Sequence, residues 1–142
     1  MPNAGTSSDG SRIVRAMTPD DLDAACRILV DQELCDAEGL PQRLSATMEM
    51  ANADYLVAEE DGVIVGVTLS VFDGFTSFAS YVAVAPGAER RQIGGQMIGE
   101  LIRRTQARDG KNIVVASWLS AAGFYRSMEF RMPGAVFLVR DV

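Results

Sequence analysis

The segment that most constrains the fold is residues 84–98, where an apolar, strand-like run meets Pro86, passes through a basic loop and continues as a helix. A strand that leads directly into a helix points several backbone N–H groups and the positive helix end at one spot. Gly94 and Gly95 let a ligand approach the backbone closely. Taken alone, the segment predicts a phosphate-binding turn and an ordinary strand–loop–helix connection equally well.

Composition favours one globular domain. The chain has 142 residues, of which 48% are hydrophobic and 23% charged, enough for a single core. We expect residues 1–11 to be a disordered lead and residues 12–142 to form the domain. No apolar run approaches the ~20 residues of a membrane span, and no signal-peptide pattern is present, so we expect a cytoplasmic protein that does not bind membranes.

Charge and residue usage exclude several kinds of chemistry. The net charge of −6 argues against a nucleic-acid partner and suits a cationic or amine substrate. The chain has no histidine, which removes histidine-based triads and histidine-ligated metals, and we expect no metal. Two cysteines are too few for a disulfide framework, and Cys26 lies on a predicted apolar helix face.

Hydrophobic periodicity predicts an alternating series of strands and helices. Thr18 and Pro19 begin the first helix, a second ends near Ala51, a third follows the glycine loop and a short fourth spans residues 120–128. Asp61-Gly62 predicts a hairpin turn. Strands are predicted at residues 12–17, 55–58, 63–72, 78–85, 112–116 and 135–139. The order β-α-α-β-β-β-α-β-α-β indicates one mixed α/β domain.

This order, with two motifs, resembles the GCN5-related N-acetyltransferase (GNAT) family over residues 12–142. Val84-Ala85-Pro86 is similar to the strand end of that family, and residues 121–130, with Phe124-Tyr125, are similar to its Ala-x-x-Phe-Tyr-x-x-x-Gly-Phe segment. The resemblance implies a central, mostly antiparallel, twisted sheet of six to seven strands flanked by about four helices.

The phosphate loop departs from the family pattern Arg/Gln-x-x-Gly-x-Gly/Ala. Counting from Pro86, Glu89, Gln92 and Gly94 occupy its three motif positions. A register shifted to residues 91–96 gives two matches but misplaces the apolar face of the helix. In the preferred register, the Glu89 carboxylate lies near two phosphates, where like charge is unfavourable, and Arg90 and Arg91 offset it.

Two further departures lie downstream. Met128-Glu129-Phe130 replaces Leu-Gly-Phe, and Trp118 stands where the family has an asparagine. Together with the loop, they predict weakened cofactor binding.

The resemblance implies direct transfer of an acetyl group from acetyl-CoA to a primary amine in a ternary complex. Tyr125 is the implied general acid, because a phenol with a pKa near 10 is protonated at neutral pH; packing against the sheet is its structural alternative. The residues implied to bind acetyl-CoA are Val82, Ala83, Val84, Glu89, Arg90, Arg91, Gln92, Ile93, Gly94 and Gly95.

A general base is not assigned. Many relatives carry an acid where this chain has Ser80, so the candidates are a string of water molecules or a carboxylate of Glu33, Asp36 or Glu38. Tyr81 either lines the acceptor cleft or packs across strands.

The acceptor is a small-molecule or peptide amine, and the resemblance allows a homodimer that pairs through residues 135–139. The alternative function is a GNAT-fold module that binds acyl-CoA or a protein partner with little or no catalysis.

Overall fold

The fold is a five-stranded sheet between two layers of helices. A computed structural model describes residues 12–89 and 92–142, so the disorder predicted for residues 1–11 lies outside the described residues. The strands pair in the order β1-β2-β3-β4-β5, antiparallel as far as β4, whereas β5 joins β4 in parallel. The strands are β1 (Arg12–Ala16), β2 (Ala53–Glu60), β3 (Val63–Phe72), β4 (Thr76–Val84) and β5 (Asn112–Val115).

Four helices lie where the sequence predicts them. They are α1 (Leu22–Asp31), α2 (Leu40–Thr47), α3 (Ile93–Ala107) and α4 (Ala122–Ser127). A short 3₁₀ turn precedes α1, and Thr18 and Asp21 form a reciprocal capping box there, which satisfies backbone donors at the start of the helix. Within the described residues, no helix is long and apolar enough to cross a membrane.

Each face of the sheet has its own apolar core. Leu29 of α1 and Leu44 of α2 pack with Val67 on one face. Ile93 and Met97 of α3 pack on the opposite face. The alternation of side chains along the strands therefore anchors helices on both sides of the sheet.

A bulge in β4 changes the face of the sheet towards which its alternating side chains point. Ala79 and Tyr81 stand opposite consecutive residues of β3, so Ser80 is the extra residue of a β-bulge. Before the bulge, the Ser77 hydroxyl hydrogen-bonds a side chain of α3. After the bulge, Tyr81 and Ala83 pack against the α1 and α2 core instead. A bulge has this effect because one inserted residue shifts the two-residue period of a strand.

The expected count of six to seven strands is wrong, because the described residues form five. The predicted strand at residues 135–139 does not form, and that segment has no regular structure. Val136 and Leu138 are 80% and 90% exposed, while the Phe137 ring lies 5.5 Å from the ring of Phe78. Strand propensity reflects packing and pairing with neighbours, and no described strand pairs with this apolar run.

We expect Gly66→Val to destabilise the protein, because α3 lies directly on Gly66. A Cβ at this position would lie 2.9 Å from the Met97 methyl carbon and 3.0 Å from Ile93 Cγ2. Such overpacking costs about 1–3 kcal/mol of unfolding free energy, which urea denaturation measures. The control is Gly99→Ala within α3, where a Cβ meets nothing within 4 Å; it should raise stability by up to about 1 kcal/mol. Equal stability of both variants would contradict this packing.

Candidate functional site

The pairing between β4 and β5 stops part-way along β4, and we call the region beside the outer edge of residues 80–84 the wedge. Their parallel pairing ends at Ala79 and Val115, and the Ala116 N–H donates the last bond, at 3.3 Å, to the Ala79 carbonyl. We call this last bond the vertex of the wedge. Beyond it, β4 continues to Val84 against β3, whereas the segment that follows β5 leads to α4. In the described part of the chain, the outer backbone edge of residues 80–84 therefore has no strand partner.

The start of α3 lies at the open end of this wedge. Gln92 is the N-cap residue, its own side chain makes no capping hydrogen bond, and the first turn of the helix contains no acidic residue. The first N–H groups of a helix have no intrahelical partner and carry partial positive charge. This end of α3 therefore favours an anion electrostatically.

Phe124 of α4 packs over that helix start. A Cβ added to Gly94 would lie 3.4 Å from Phe124 Cζ and 3.9 Å from Val84 Cγ2. The end of β4, the start of α3 and the start of α4 thus meet at one place. Gly95 is less crowded, because its nearest neighbour would be the Met128 sulfur at 3.9 Å.

The loop before α3 holds Glu89 against its own backbone. The Gly87 N–H donates to Glu89 Oε1 at 2.8 Å, so the carboxylate occupies one of the loop donors. Gln92 has a φ of 62°, the left-handed conformation that glycine adopts without strain. Arg90 and Arg91, which the sequence assigns to phosphate binding, lie outside the described residues.

The other predicted contact residues face inward. Ala83 is 3% exposed and lies in the α1 and α2 core. Val82 and Val84 pack against the cluster that contains Ile93, which is fully buried. A ligand in the wedge could therefore reach these strand residues through their backbone groups.

Gln32, at the end of α1, contacts the same strand, and the sequence analysis did not predict this contact. Its Nε2 donates to the Val84 carbonyl oxygen at 2.6 Å. This hydrogen bond ties the last turn of α1 to the end of β4. A lone glutamine at a helix end carries no sequence signal that would have found it.

Tyr125 is buried beside the wedge. It is 8% exposed, and its ring makes edge contacts with Phe124 and Phe130 at 4.8 and 5.5 Å between centroids. Burial raises the pKa of Tyr125 above its usual value of 10. Among the described residues, no hydrogen bond holds its hydroxyl, so the backbone bond of the purely structural interpretation is not formed.

A second cleft, of about 460 Å³, lies at the end of α1 and in the α1–α2 loop. Glu33, Cys35 and Asp36 are among the residues that line it. Cys35 and Tyr81 both pack against the α1 and α2 core here, and burial raises the pKa of both groups. Of the predicted base candidates, Glu33 and Asp36 thus share a cleft, and Glu38 is exposed outside its lining.

Comparison with known families gives one match that spans more than half of the chain. The model described as an acetyltransferase (GNAT) domain matches residues 51–132, which includes the wedge, the start of α3 and Tyr125. A search of curated proteins finds no match.

Solved structures share the fold at low sequence identity. A transcriptional regulator from Bacillus halodurans C-125 is 17% identical, with a TM-score of 0.81 over 92% of this chain and 99% of its own. An aminoglycoside acetyltransferase from an uncultured soil metagenomic sample is also 17% identical, with a TM-score of 0.80 over 92% and 96%. The aminoglycoside N-acetyltransferase AAC(6')-Iy in complex with CoA is 14% identical, with a TM-score of 0.75 over 92% and 94%.

Gln32→Leu should loosen the junction between α1 and β4, because it removes the donor to the Val84 carbonyl. We expect a loss of about 0.5–1.5 kcal/mol in unfolding free energy and faster amide exchange at the end of α1. Gln106→Leu, at an exposed position of α3, is the control and should change neither. Unchanged exchange in the Gln32 variant would show that this bond does not hold the two elements together.

Proposed function

Because this chain belongs to the GCN5-related N-acetyltransferase (GNAT) family, we propose that it transfers an acetyl group from acetyl-CoA to a primary amine in a ternary complex. The observation that carries the proposal is the wedge beside residues 80–84 of β4, which ends at the start of α3. It offers unpaired strand backbone and an anion-favouring helix end in one continuous path.

The residues of the wedge fit the cofactor. The backbone groups of Val82, Ala83 and Val84 would hold its extended arm, and the N–H groups of residues 92–95 its pyrophosphate. Glu89 is held by the Gly87 N–H, and Arg90 and Arg91 add positive charge to the loop sequence. Gly94 and Gly95 keep side chains away from the helix start.

When bound, acetyl-CoA supplies a thioester, whose C–S bond breaks as the N–C bond to the amine forms. Tyr125 holds a proton on its hydroxyl at neutral pH, since burial raises its pKa. It can therefore donate that proton to the leaving sulfur. The contacts with Phe124 and Phe130 fix the orientation of its ring.

The acceptor amine must lose a proton, because an amine with a pKa near 10 is about one part in a thousand neutral at pH 7. We propose that the amine enters beside Tyr81, from the cleft that Glu33 and Asp36 line. The carboxylates there favour a cationic small molecule or peptide amine. We assign no general base.

A second candidate is an acyl-CoA-binding or protein-interaction module with little or no catalysis. The Glu89 carboxylate on a loop N–H favours it, because the same N–H is then not available to a phosphate. One protein with the same fold is named a transcriptional regulator, so the fold also occurs in proteins named for other roles.

Three further expectations accompany the proposal. Residues 12–142 act as one domain, the protein works in the cytoplasm, and it forms a homodimer. The position of residues 135–139 outside the sheet gives no support to pairing through that segment.

Tyr125→Phe should lower kcat by about a hundredfold or more, the usual contribution of a general acid, and leave acetyl-CoA affinity nearly unchanged. Because the protonated phenol is the active form and its pKa is raised, the Tyr125-dependent alkaline loss of wild-type kcat should have its midpoint at a higher pH than an ordinary tyrosine would give. Tyr55→Phe removes a hydroxyl that bonds Thr47 instead and should retain activity. Steady-state rates across pH are measured for the wild type and for both variants. An unimpaired Tyr125→Phe variant would exclude Tyr125 as the general acid.

Gln92→Gly should tighten acetyl-CoA binding about tenfold, because glycine relieves the left-handed backbone and removes a side chain beside the proposed phosphate site. Calorimetric titration measures the change. The control is Asp109→Gly, which also places glycine at a left-handed position, with a φ of 58°, beyond the end of α3. It should leave acetyl-CoA binding unaltered. Equal affinities of wild type and the Gln92 variant would show that the loop tolerates the glutamine.

A further inference from the structure

Two large apolar side chains stand exposed next to the vertex of the wedge. Trp118 and Leu119 are 72% and 84% exposed, and they follow the last bond between β5 and β4, made by Ala116, by two and three residues. Isolated exposed apolar residues are ordinary, whereas adjacent ones beside a cleft are typical of binding sites.

The residues that link the vertex to Trp118 and Leu119 are too small to fill the region beside the β4 edge. Ala116 and Ser117 are small and exposed, so the gap beside the β4 edge is not filled from this side. Further along the wedge, Phe124 is 39% exposed where it packs over Gly94. Apolar surface thus borders the wedge near its vertex and near its open end.

The direction of the proposed ligand places its acyl end at the vertex. Its anionic part belongs at the start of α3, and residues 80–84 separate this point from the vertex. At about 3.3 Å per residue, this edge spans roughly 13 Å. A ligand that runs along the edge from its phosphates therefore brings its thioester end towards Trp118 and Leu119.

We propose that Trp118 and Leu119 form an acyl-chain subsite, which accepts straight-chain acyl groups longer than acetyl. This inference rests on the proposed function, since it needs acyl-CoA in the wedge. An acetyl group has too little apolar surface to cover both side chains. A chain of four to six carbons would remove them from water, and each buried methylene strengthens binding.

The single tryptophan of the chain is Trp118, so tryptophan emission, excited selectively over that of the tyrosines, reports on this subsite alone. The experiment titrates the full chain with CoA, acetyl-CoA, butyryl-CoA and hexanoyl-CoA, and follows Trp118 emission and calorimetric heat in parallel. We expect affinity to rise roughly two- to fourfold per added methylene. The emission should shift to shorter wavelength with the longer chains.

Leu119→Ser retains the tryptophan and should abolish most of the gain with chain length while leaving CoA affinity unchanged. Leu138→Ser is the matched control, because Leu138 is 90% exposed in the C-terminal segment, and it should behave as wild type. Circular dichroism verifies that both variants are folded.

The outcomes separate the subsite from the proposed function. Binding of CoA and acetyl-CoA without any dependence on chain length would overturn the subsite and leave the acetyltransferase proposal standing. Absence of binding by every thioester and by CoA would overturn the proposed function itself. A blue shift that depends on protein concentration without ligand would show that a second copy covers Trp118, and would also overturn the subsite.

Discussion

The structure depends on a change of hydrogen-bond partner along β4. As far as Ala79, this strand is paired on both sides, and beyond it β3 is the partner that the described residues provide. Unpaired strand edges usually attract another chain, and backbone groups must find partners or water. Here the edge of residues 80–84 leads to the start of α3, where Phe124 of α4 packs near Gly94, so in our proposal the groups that the sheet leaves unpaired become available to a ligand.

The two ends of α3 have different roles. Near its C-terminal end, the buried carboxylate of Asp54 lies 3.1 Å from Arg108 and 3.7 Å from Arg104, and the Thr105 hydroxyl bonds Ser77. Breaking a buried ion pair is strongly unfavourable, so these contacts fix the helix on the sheet. At the N-terminal end the Gln92 side chain makes no capping hydrogen bond, and the partial positive charge of that end favours an anion.

Much of the fold follows from local sequence. Asp61 and Gly62 adopt the positive φ angles of a tight hairpin turn, as their residue types predict. Gln92 and Glu129 stand where the family has glycine, and both have left-handed backbones, with φ of 62° and 69°. Both positions thus have a backbone conformation that glycine adopts without strain, although the residue differs.

Other features depend on distant contacts. The run at residues 135–139 has the composition of a strand, but strand formation needs a partner edge, and no local pattern encodes one. The Gln32 bond to Val84 and the bulge at Ser80 likewise depend on how separate elements meet. The pKa of Tyr125 is raised by burial, and Phe124 and Phe130 contact its ring. The sequence motif places these aromatic residues near one another in the chain but does not specify how deeply the tyrosine is buried.

Amide hydrogen exchange with and without acetyl-CoA tests the central claim most directly. If the wedge binds the cofactor through backbone groups, the ligand should slow exchange in residues 80–84 and 92–95 while amides of the β2–β3 pairing stay unchanged. Binding without protection of these two segments, or no binding at millimolar acetyl-CoA, would contradict the account.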